Sequence, residues 1–311
     1  MRAIRIHKTG GPEVLQMEEL PDPTPGAGEL LIKVEAVGLN FIEIYYRLGQ
    51  YPSTLPYTPG SECAGTVVAV GSGVTGFNPG DRVVTQNAKG SYATRALVPA
   101  DKAVHIPDGV STNVAAASWL QGLTAHYLTH STFKLERGQR CLVLAAAGGV
   151  GLLLVQMAKR LGAHVIGAAS TPEKRELAKN AGADEVFDYH RPELKVDVVY
   201  DSVGAHTFER SLKSLKPRGM MVLFGQSSGP VHPIDPQILN RYGSLYLTRP
   251  TLNAYVAARE ELEWRAKDLL GWIAAGELDV RIGAGFPLSE AAKAQTALTE
   301  RKTTGKTLLI P

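Results

Sequence analysis

LVLAAAGGVGLLLVQMAKRLGAHVIGAAS, residues 142–170, decides how the rest of the chain is read. Residues 142–145 form a short apolar run, the pattern of a strand covered on both faces. The turn Ala146-Ala147-Gly148-Gly149-Val150-Gly151 follows the spacing G-x-G-x-x-G, with Ala146 in place of the first glycine. Val150, Leu154, Met157, Ala158 and Leu161 then mark one apolar helical face, and Gly162 fits a C-terminal cap. A second strand follows. Small residues in such a turn let backbone N–H groups approach phosphate oxygens, and the helix N-terminus adds positive partial charge there. A glycine pattern alone is weak, but here a strand precedes it and a helix and strand follow. The stretch is read as the pyrophosphate site of a dinucleotide.

An NAD site places Asp or Glu at the end of the second strand, on the ribose 2′-hydroxyl. No acidic residue occurs between Gly151 and Pro172. That strand ends instead in Ala168-Ala169-Ser170-Thr171, with Lys174 and Arg175 just beyond. A phosphomonoester needs cations and hydroxyls, and a carboxylate would repel it. The missing acid therefore predicts NADPH, with Ser170 and Lys174 on the 2′-phosphate. The competing reading makes Lys174 and Arg175 an ordinary solvated helix start.

At 311 residues the chain has room for two domains, each with its own core. A hydrophobic share of 44% and a charged share of 20% are those of a globular protein in water. A net charge of +3, without a basic block, gives no reason to expect nucleic acid or a membrane as partner. The N-terminal segment lacks the apolar core of a signal peptide, and no stretch is long enough to span a bilayer. The two cysteines, Cys63 and Cys141, stand far apart inside expected strands. They point to core packing and a cytoplasmic location, not to a disulfide framework.

Residues 1–110 read as mostly β, in short β-branched runs broken by Gly, Pro and Asp. A helix over 112–130 leads into alternating strands (142–145, 165–169, 184–187, 196–201, 220–225) and helices, the order of a doubly wound parallel sheet. Residues 245–249 add a last strand, and a single long helical pattern over 253–276 returns the chain to the first domain. The linker HRPELKVD, from His190, leaves room for a loop or one turn but not for a crossover helix. The expected fold is α/β. A β-rich domain (1–123 and 257–311) is completed by the C-terminus, and a dinucleotide-binding domain (124–256) is inserted in it.

With these features the chain resembles zinc-free members of the medium-chain dehydrogenase/reductase superfamily, within the quinone oxidoreductase and zeta-crystallin group. The resemblance covers nearly the whole chain. Beside the glycine turn it rests on NFIEIYYRLGQYP (40–52), TPGSECAGTV (58–67), GDRV (80–83), LTAHYL (123–128), YDSVG (200–204), FGQSSG (224–229), LTRPTL (247–252) and TTGKTLLIP (303–311). It implies a GroES-like catalytic domain joined to a Rossmann domain. Zinc enzymes of the superfamily bind metal through a Cys and a Gly-His-Glu segment, where this chain has Asn40 and Gly60-Ser61-Glu62. Neither Asn nor Ser is a suitable zinc ligand, so no metal is expected. Without a Lewis acid, alcohol oxidation loses its support. The resemblance instead implies reduction of quinones or conjugated carbonyls by NADPH, without flavin.

By the same resemblance, Asn40 and Tyr45 line the nicotinamide and substrate pocket as the catalytic pair. Asn40 would orient the carboxamide or a water, and Tyr45 would donate to the reduced oxygen or else serve only in packing. Tyr51 shapes the pocket mouth. Glu43 is a base or part of a helix surface or polar network. Thr124 and Tyr127 match cofactor contacts, and Gly148, Gly149 and Val150 hold the pyrophosphate. Ser170, Lys174, Tyr189 and Arg301 match the adenosine-phosphate end. Ser202, Phe224, Gln226, Ser227, Pro250, Thr251 and Leu252 flank the ribose and nicotinamide. Relatives carry Lys at the position of Gln121 and Asn at that of Gln226. His126 and His130 have i, i+4 spacing but no third metal ligand, and structural roles are expected. Rival functions are reduction of enoyl thioesters or enones, and a zeta-crystallin-like binding role for NADPH or RNA. A homodimer is expected through the edge strand within GSLYLTRP.

Overall fold

The computed structural model describes residues 1–189 and 194–311. The first four residues of the HRPELKVD linker, expected as a loop or single turn, lie outside the described residues. The chain divides into two compact units, Met1–Leu120 with Ala266–Pro311, and Gln121–Arg265. Both cuts fall inside helices, Thr112–Tyr127 and Arg259–Ala274.

The first unit is built on Glu29–Gly38, whose ten residues pair antiparallel with Cys63–Val70 on one side and Arg95–Pro99 on the other. Arg82–Thr85 and Val104–His105 extend the sheet beyond Cys63–Val70. The C-terminal strand Lys306–Ile310 joins the same sheet, antiparallel to Glu29–Gly38, with Leu308 opposite Gly38 and Leu309 opposite Val37. It pairs in parallel with Ile282–Pro287 on its other side. β-branched and leucine side chains, among them Ile4, Leu30, Ile32, Val34, Val67, Val83, Val98 and Leu309, form the core. The last residues of the chain are thereby fixed beside the ends of strands that lie near its beginning.

Among the described residues the second unit carries six strands, β1 (Arg140–Leu144), β2 (His164–Ala168), β3 (Glu185–Phe187), β4 (Val196–Asp201), β5 (Leu215–Leu223) and β6 (Tyr246–Thr248). Their order in the sheet is β3-β2-β1-β4-β5-β6, and every pairing is parallel. This is the doubly wound arrangement, and the order reverses between β1 and β4, where such sheets open a crevice at their carboxyl ends. Helix Gly149–Arg160 follows β1 and buries Leu152, Leu154, Val155, Met157 and Ala158. It stops where expected, with Gly162 at φ +80°, a conformation that glycine adopts without steric penalty. Helix Pro172–Asn180 starts at Thr171, whose side chain accepts from the Lys174 amide, with Pro172 in the first turn.

Two helical expectations are corrected. The segment 112–130 is α-helical to Tyr127, and Leu128–Thr132 widens into a π-turn. The pattern over 253–276 is two helices, Leu252–Tyr255 and Arg259–Ala274. The chain leaves helical geometry at Val256 (φ −130°), and the Tyr255 carbonyl accepts from Arg265 Nε at 2.9 Å. A side chain one helix later thus satisfies a group that a continuous helix would have paired internally. β5 begins at Leu215, five residues before its expected start, with Arg218 left-handed (φ +63°) and its amide donating to Gly243 O.

Candidate active site

In the first unit the strand ends converge on a buried charged cluster. Lys306 Nζ donates to Glu62 Oε2 at 2.7 Å and to Asn40 Oδ1 at 2.8 Å. Asn40 Nδ2 donates to Glu62 Oε2 and to Gly38 O, both at 3.0 Å. The other Glu62 oxygen accepts the Leu120 amide at 2.6 Å. Lys306 and Glu62 are shielded from water, at 3% and 0% side-chain exposure. Removing one partner of such a pair costs about 3–5 kcal/mol, because the other charge is left alone. Gly38 leaves the space for it: a Cβ there would lie 2.1 Å from Glu62 Oε2.

Helix Phe41–Arg47 starts at this cluster. The Asn40 amide donates to Glu43 Oε2 at 2.9 Å, while Glu43 Oε1 is buried without a hydrogen-bond partner among the described residues. Burial pushes the Glu43 carboxyl up to about 8; Lys306 pulls it down, and Glu62 adds to the rise. Of the readings for Glu43 (a base, a helix-surface residue or part of a polar network), burial excludes the helix surface, and the Asn40 contact places the carboxyl in the network. The Asn40 amide is not presented outward either, since both its hydrogens are engaged and the residue is 7% exposed. At the far end of the helix the buried Arg47 donates to Gln295 Oε1 and Gly10 O. Between these anchors Tyr45 is half-buried, its ring edge-on to Tyr51 with centroids 5.6 Å apart. Tyr46 meets the same Tyr51 ring at 5.5 Å.

The positions that bind zinc in the wider superfamily do not fit that metal here. The Asn40 amide and the Glu62 carboxylate are bound to an ammonium group, and a serine hydroxyl at position 61 is a poor zinc donor.

In the second unit the glycine turn fits a pyrophosphate. Ala145 takes a left-handed conformation (φ +51°), and its amide donates to the Tyr189 hydroxyl at 3.2 Å. Gly148 is the helix N-cap in extended conformation, and among the described residues no side chain makes the capping hydrogen bond to it. A Cβ on Gly151 would stand 2.3 Å from Ala145 O, so a larger residue would push the helix off the strand. The small residues leave a cradle of backbone donors at a helix N-terminus.

The adjoining wall depends on Asp201 at the end of β4, a residue that the sequence marks only as part of YDSVG. Its Oδ1 accepts the amides of Val203 and Gly204 at 2.7 and 3.0 Å, and its Oδ2 accepts from Thr207 and Ser211, both at 2.8 Å. Burial raises this carboxyl above the ordinary range, while the four donors pull it back. The turn so formed is laced to the loop after β5: Phe224 N donates to Asp201 O, Ser227 N to Ser202 O and Ser228 N to Val203 O. Ser202, Phe224, Gln226 and Ser227 are therefore brought together past the carboxyl ends of β4 and β5. An acid at the end of a buried strand, followed by small residues, was the available signal for Asp201.

Ser170 is exposed just past β2, and Lys174 is half-buried in the first turn of the next helix. Arg175 donates to Ala169 O at 3.3 Å, which ties it to the strand end. Thr124 and Tyr127 are buried, and Tyr127 stacks on Tyr255 at 4.3 Å. Pro250 is buried, Thr251 caps the helix that Leu252 begins, and both precede Tyr255. Arg301 belongs to the first unit, exposed and left-handed (φ +59°). His126 is fully buried, its ring stacked on His130 at 4.2 Å.

Residues 26–108 match the family model of the alcohol dehydrogenase GroES-like domain, and residues 149–264 that of the zinc-binding dehydrogenases. A quinone oxidoreductase of Pseudomonas aeruginosa is 45% identical, over 100% of this chain and 99% of its own length. The crystal structure of Escherichia coli quinone oxidoreductase complexed with NADPH superimposes with a TM-score of 0.97 at 44% identity, covering 100% of both chains. A 2-haloacrylate reductase of Burkholderia sp. is 38% identical over 98% of each chain.

The Glu43 carboxyl has a pH consequence. Its folded value, about 8 against an ordinary 4.5, means that the folded chain keeps a proton the unfolded chain loses. The resulting stabilisation is complete below about pH 4.5 and is lost as pH rises toward about 8. Glu43→Gln keeps an oxygen for the Asn40 amide and removes the titration. Urea unfolding should show the variant more stable than the parent at about pH 8, by about 2 kcal/mol or more, with the gap closing toward about pH 5. Parallel stability curves would show that Glu43 is already ionised at neutral pH.

Proposed function

The chain belongs to the medium-chain dehydrogenase/reductase superfamily, in its quinone oxidoreductase group, and from that premise we propose that it is an NADPH-dependent quinone reductase working without zinc or flavin. The observation that carries this reading is the pairing of the glycine cradle at the switch point with a second strand that is followed by Ser170 and Lys174, with no acid at its end. Gly148, Gly149 and Val150 hold the pyrophosphate through backbone amides. Ser170 and Lys174, with Tyr189 and Arg301, take the 2′-phosphate end. Ser202, Phe224, Gln226, Ser227, Pro250, Thr251 and Leu252 flank the nicotinamide ribose, with Thr124 and Tyr127. In functional terms we assign 124–256 to dinucleotide binding, and 1–123 with 257–311 to the acceptor.

Bound NADPH supplies a hydride. The protein's part is to orient the acceptor and supply a proton where charge develops. Tyr45 is the group we assign to that oxygen, as hydrogen-bond and proton donor, with Tyr51 fixing its ring. Asn40 moves from the catalytic pair to a supporting role, because its amide joins Lys306, Glu62 and the start of the Tyr45 helix. A quinone suits a site without a Lewis acid, since the charge left by hydride addition delocalises over its ring.

The 2-haloacrylate reductase relative favours one second reading, reduction of an activated C=C bond, with enoyl thioesters or enones as acceptors. We place the enzyme in the cytoplasm, on the support of two buried cysteines that form no disulfide. We assign it a homodimeric state through β6, an edge strand whose Tyr246 is 58% exposed. Light scattering at micromolar protein should give twice the chain mass, and a monomer mass would refute the dimer.

Initial rates of NADPH consumption with a simple quinone and with crotonyl-CoA test the function. The proposal expects the quinone to have the larger kcat/KM. A faster thioester would move the enzyme to the enoyl reductases while leaving the cofactor assignment intact.

A further inference from the structure

Arg265 is a fully buried cation in the second unit. Its Nε donates to Tyr255 O at 2.9 Å, its Nη1 to His126 Nδ1 at 3.1 Å, and its Nη2 to Ser131 Oγ and Glu261 Oε1 at 3.0 and 3.2 Å. The guanidinium also lies 4.7 Å from the Trp264 ring centroid and 5.7 Å from that of Tyr255. A buried guanidinium must be paired, and its planar fork fixes the direction of every partner. Here the fork joins three segments: the end of helix Thr112–Tyr127, the π-turn Leu128–Thr132, and the break between the helices that end at Tyr255 and begin at Arg259.

Those segments carry one aromatic wall. The Tyr127 ring lies flat on Tyr255, with centroids 4.3 Å apart and planes 8° from parallel. The Tyr255 hydroxyl accepts from Thr132 Oγ1 at 2.9 Å. Tyr255 also closes the short helix that starts beside Thr251. Helical breaks and π-turns are each costly in backbone hydrogen bonding. In this chain they coincide at one side chain, whose donors hold both.

We propose that Arg265 is a positioning residue for NADPH binding, acting through the Tyr127–Tyr255 stack and the segment 250–252. The proposal rests on the reading above in which Tyr127 contacts the cofactor. Arg265 itself touches no cofactor; it sets the plane of Tyr255, and Tyr255 sets the plane of Tyr127. The fork also fixes the tautomer of His126, whose Nδ1 accepts and whose Nε2 therefore carries the proton.

NADPH dissociation constants, read from nicotinamide fluorescence on the intact protein, test this with Arg265→Met, Tyr127→Ala and the double variant. Each single change should weaken NADPH by about tenfold, and the double variant should be no weaker than Tyr127→Ala, because both act on one wall. Unchanged binding in folded Arg265→Met, or losses that multiply in the double variant, would overturn the proposal. Unchanged binding in Tyr127→Ala would instead overturn the assignment of Tyr127 to the cofactor. If Arg265→Met does not fold, Thr132→Val removes only the hydroxyl that fixes Tyr255. It should weaken NADPH severalfold while leaving the KM for quinone unmoved, and unchanged NADPH binding there overturns the proposal equally.

Discussion

A lysine ammonium buried between Glu62 and Asn40 is the constraint on which the first unit depends. Lys306 cannot leave water unless both partners are present and correctly aimed. That requirement explains why the final strand must pair beside Gly38, why position 38 has no side chain, and why Asn40 stands between that strand and the helix of Tyr45. Asn40 and Glu62 of this cluster stand where the resemblance matches the metal-binding positions of zinc enzymes. A cation is still present there, but it is covalently part of the chain and spent on neighbouring side chains. The helix it orients carries Tyr45, the residue proposed to act on the acceptor.

The second unit solves a different problem, that of holding an anionic cofactor with backbone. At the switch between β1 and β4 the small residues of the glycine turn let amides come forward. The Asp201 carboxylate gathers four donors so that two loops can lie against each other. In the proposed function, selectivity for the phosphorylated form rests on the residues just past β2, where small residues, a hydroxyl and cations stand in place of a carboxylate.

The parts of this molecule legible in its sequence are those set by neighbours in the chain. The glycine turn, the cap at Gly162 and the strand–helix alternation are written in local spacing, and the structure places them within a few residues of expectation. The buried cluster was not legible, because Lys306 lies 244 residues from Glu62 and nothing in TTGKTLLIP marks its lysine as internal. The break after Tyr255 was hidden for a related reason. NAYVAAREEL contains neither glycine nor proline, and the break is held by Arg265 from the following helix. Asn40 was recognised as a site residue by family pattern, but its hydrogen bonds decide its role, and those are tertiary.

Recognition of a 2′-phosphate beside a strand end without an acid is what the proposed function requires of this chain. The most direct measurement is kcat/KM for quinone reduction with NADPH and with NADH on the same enzyme preparation. Preference for NADPH by more than about tenfold is the predicted result, as expected when cationic donors meet a phosphate that NADH lacks. Equal efficiency with the two dinucleotides would contradict the assignment of Ser170 and Lys174 and the cofactor reading built on them.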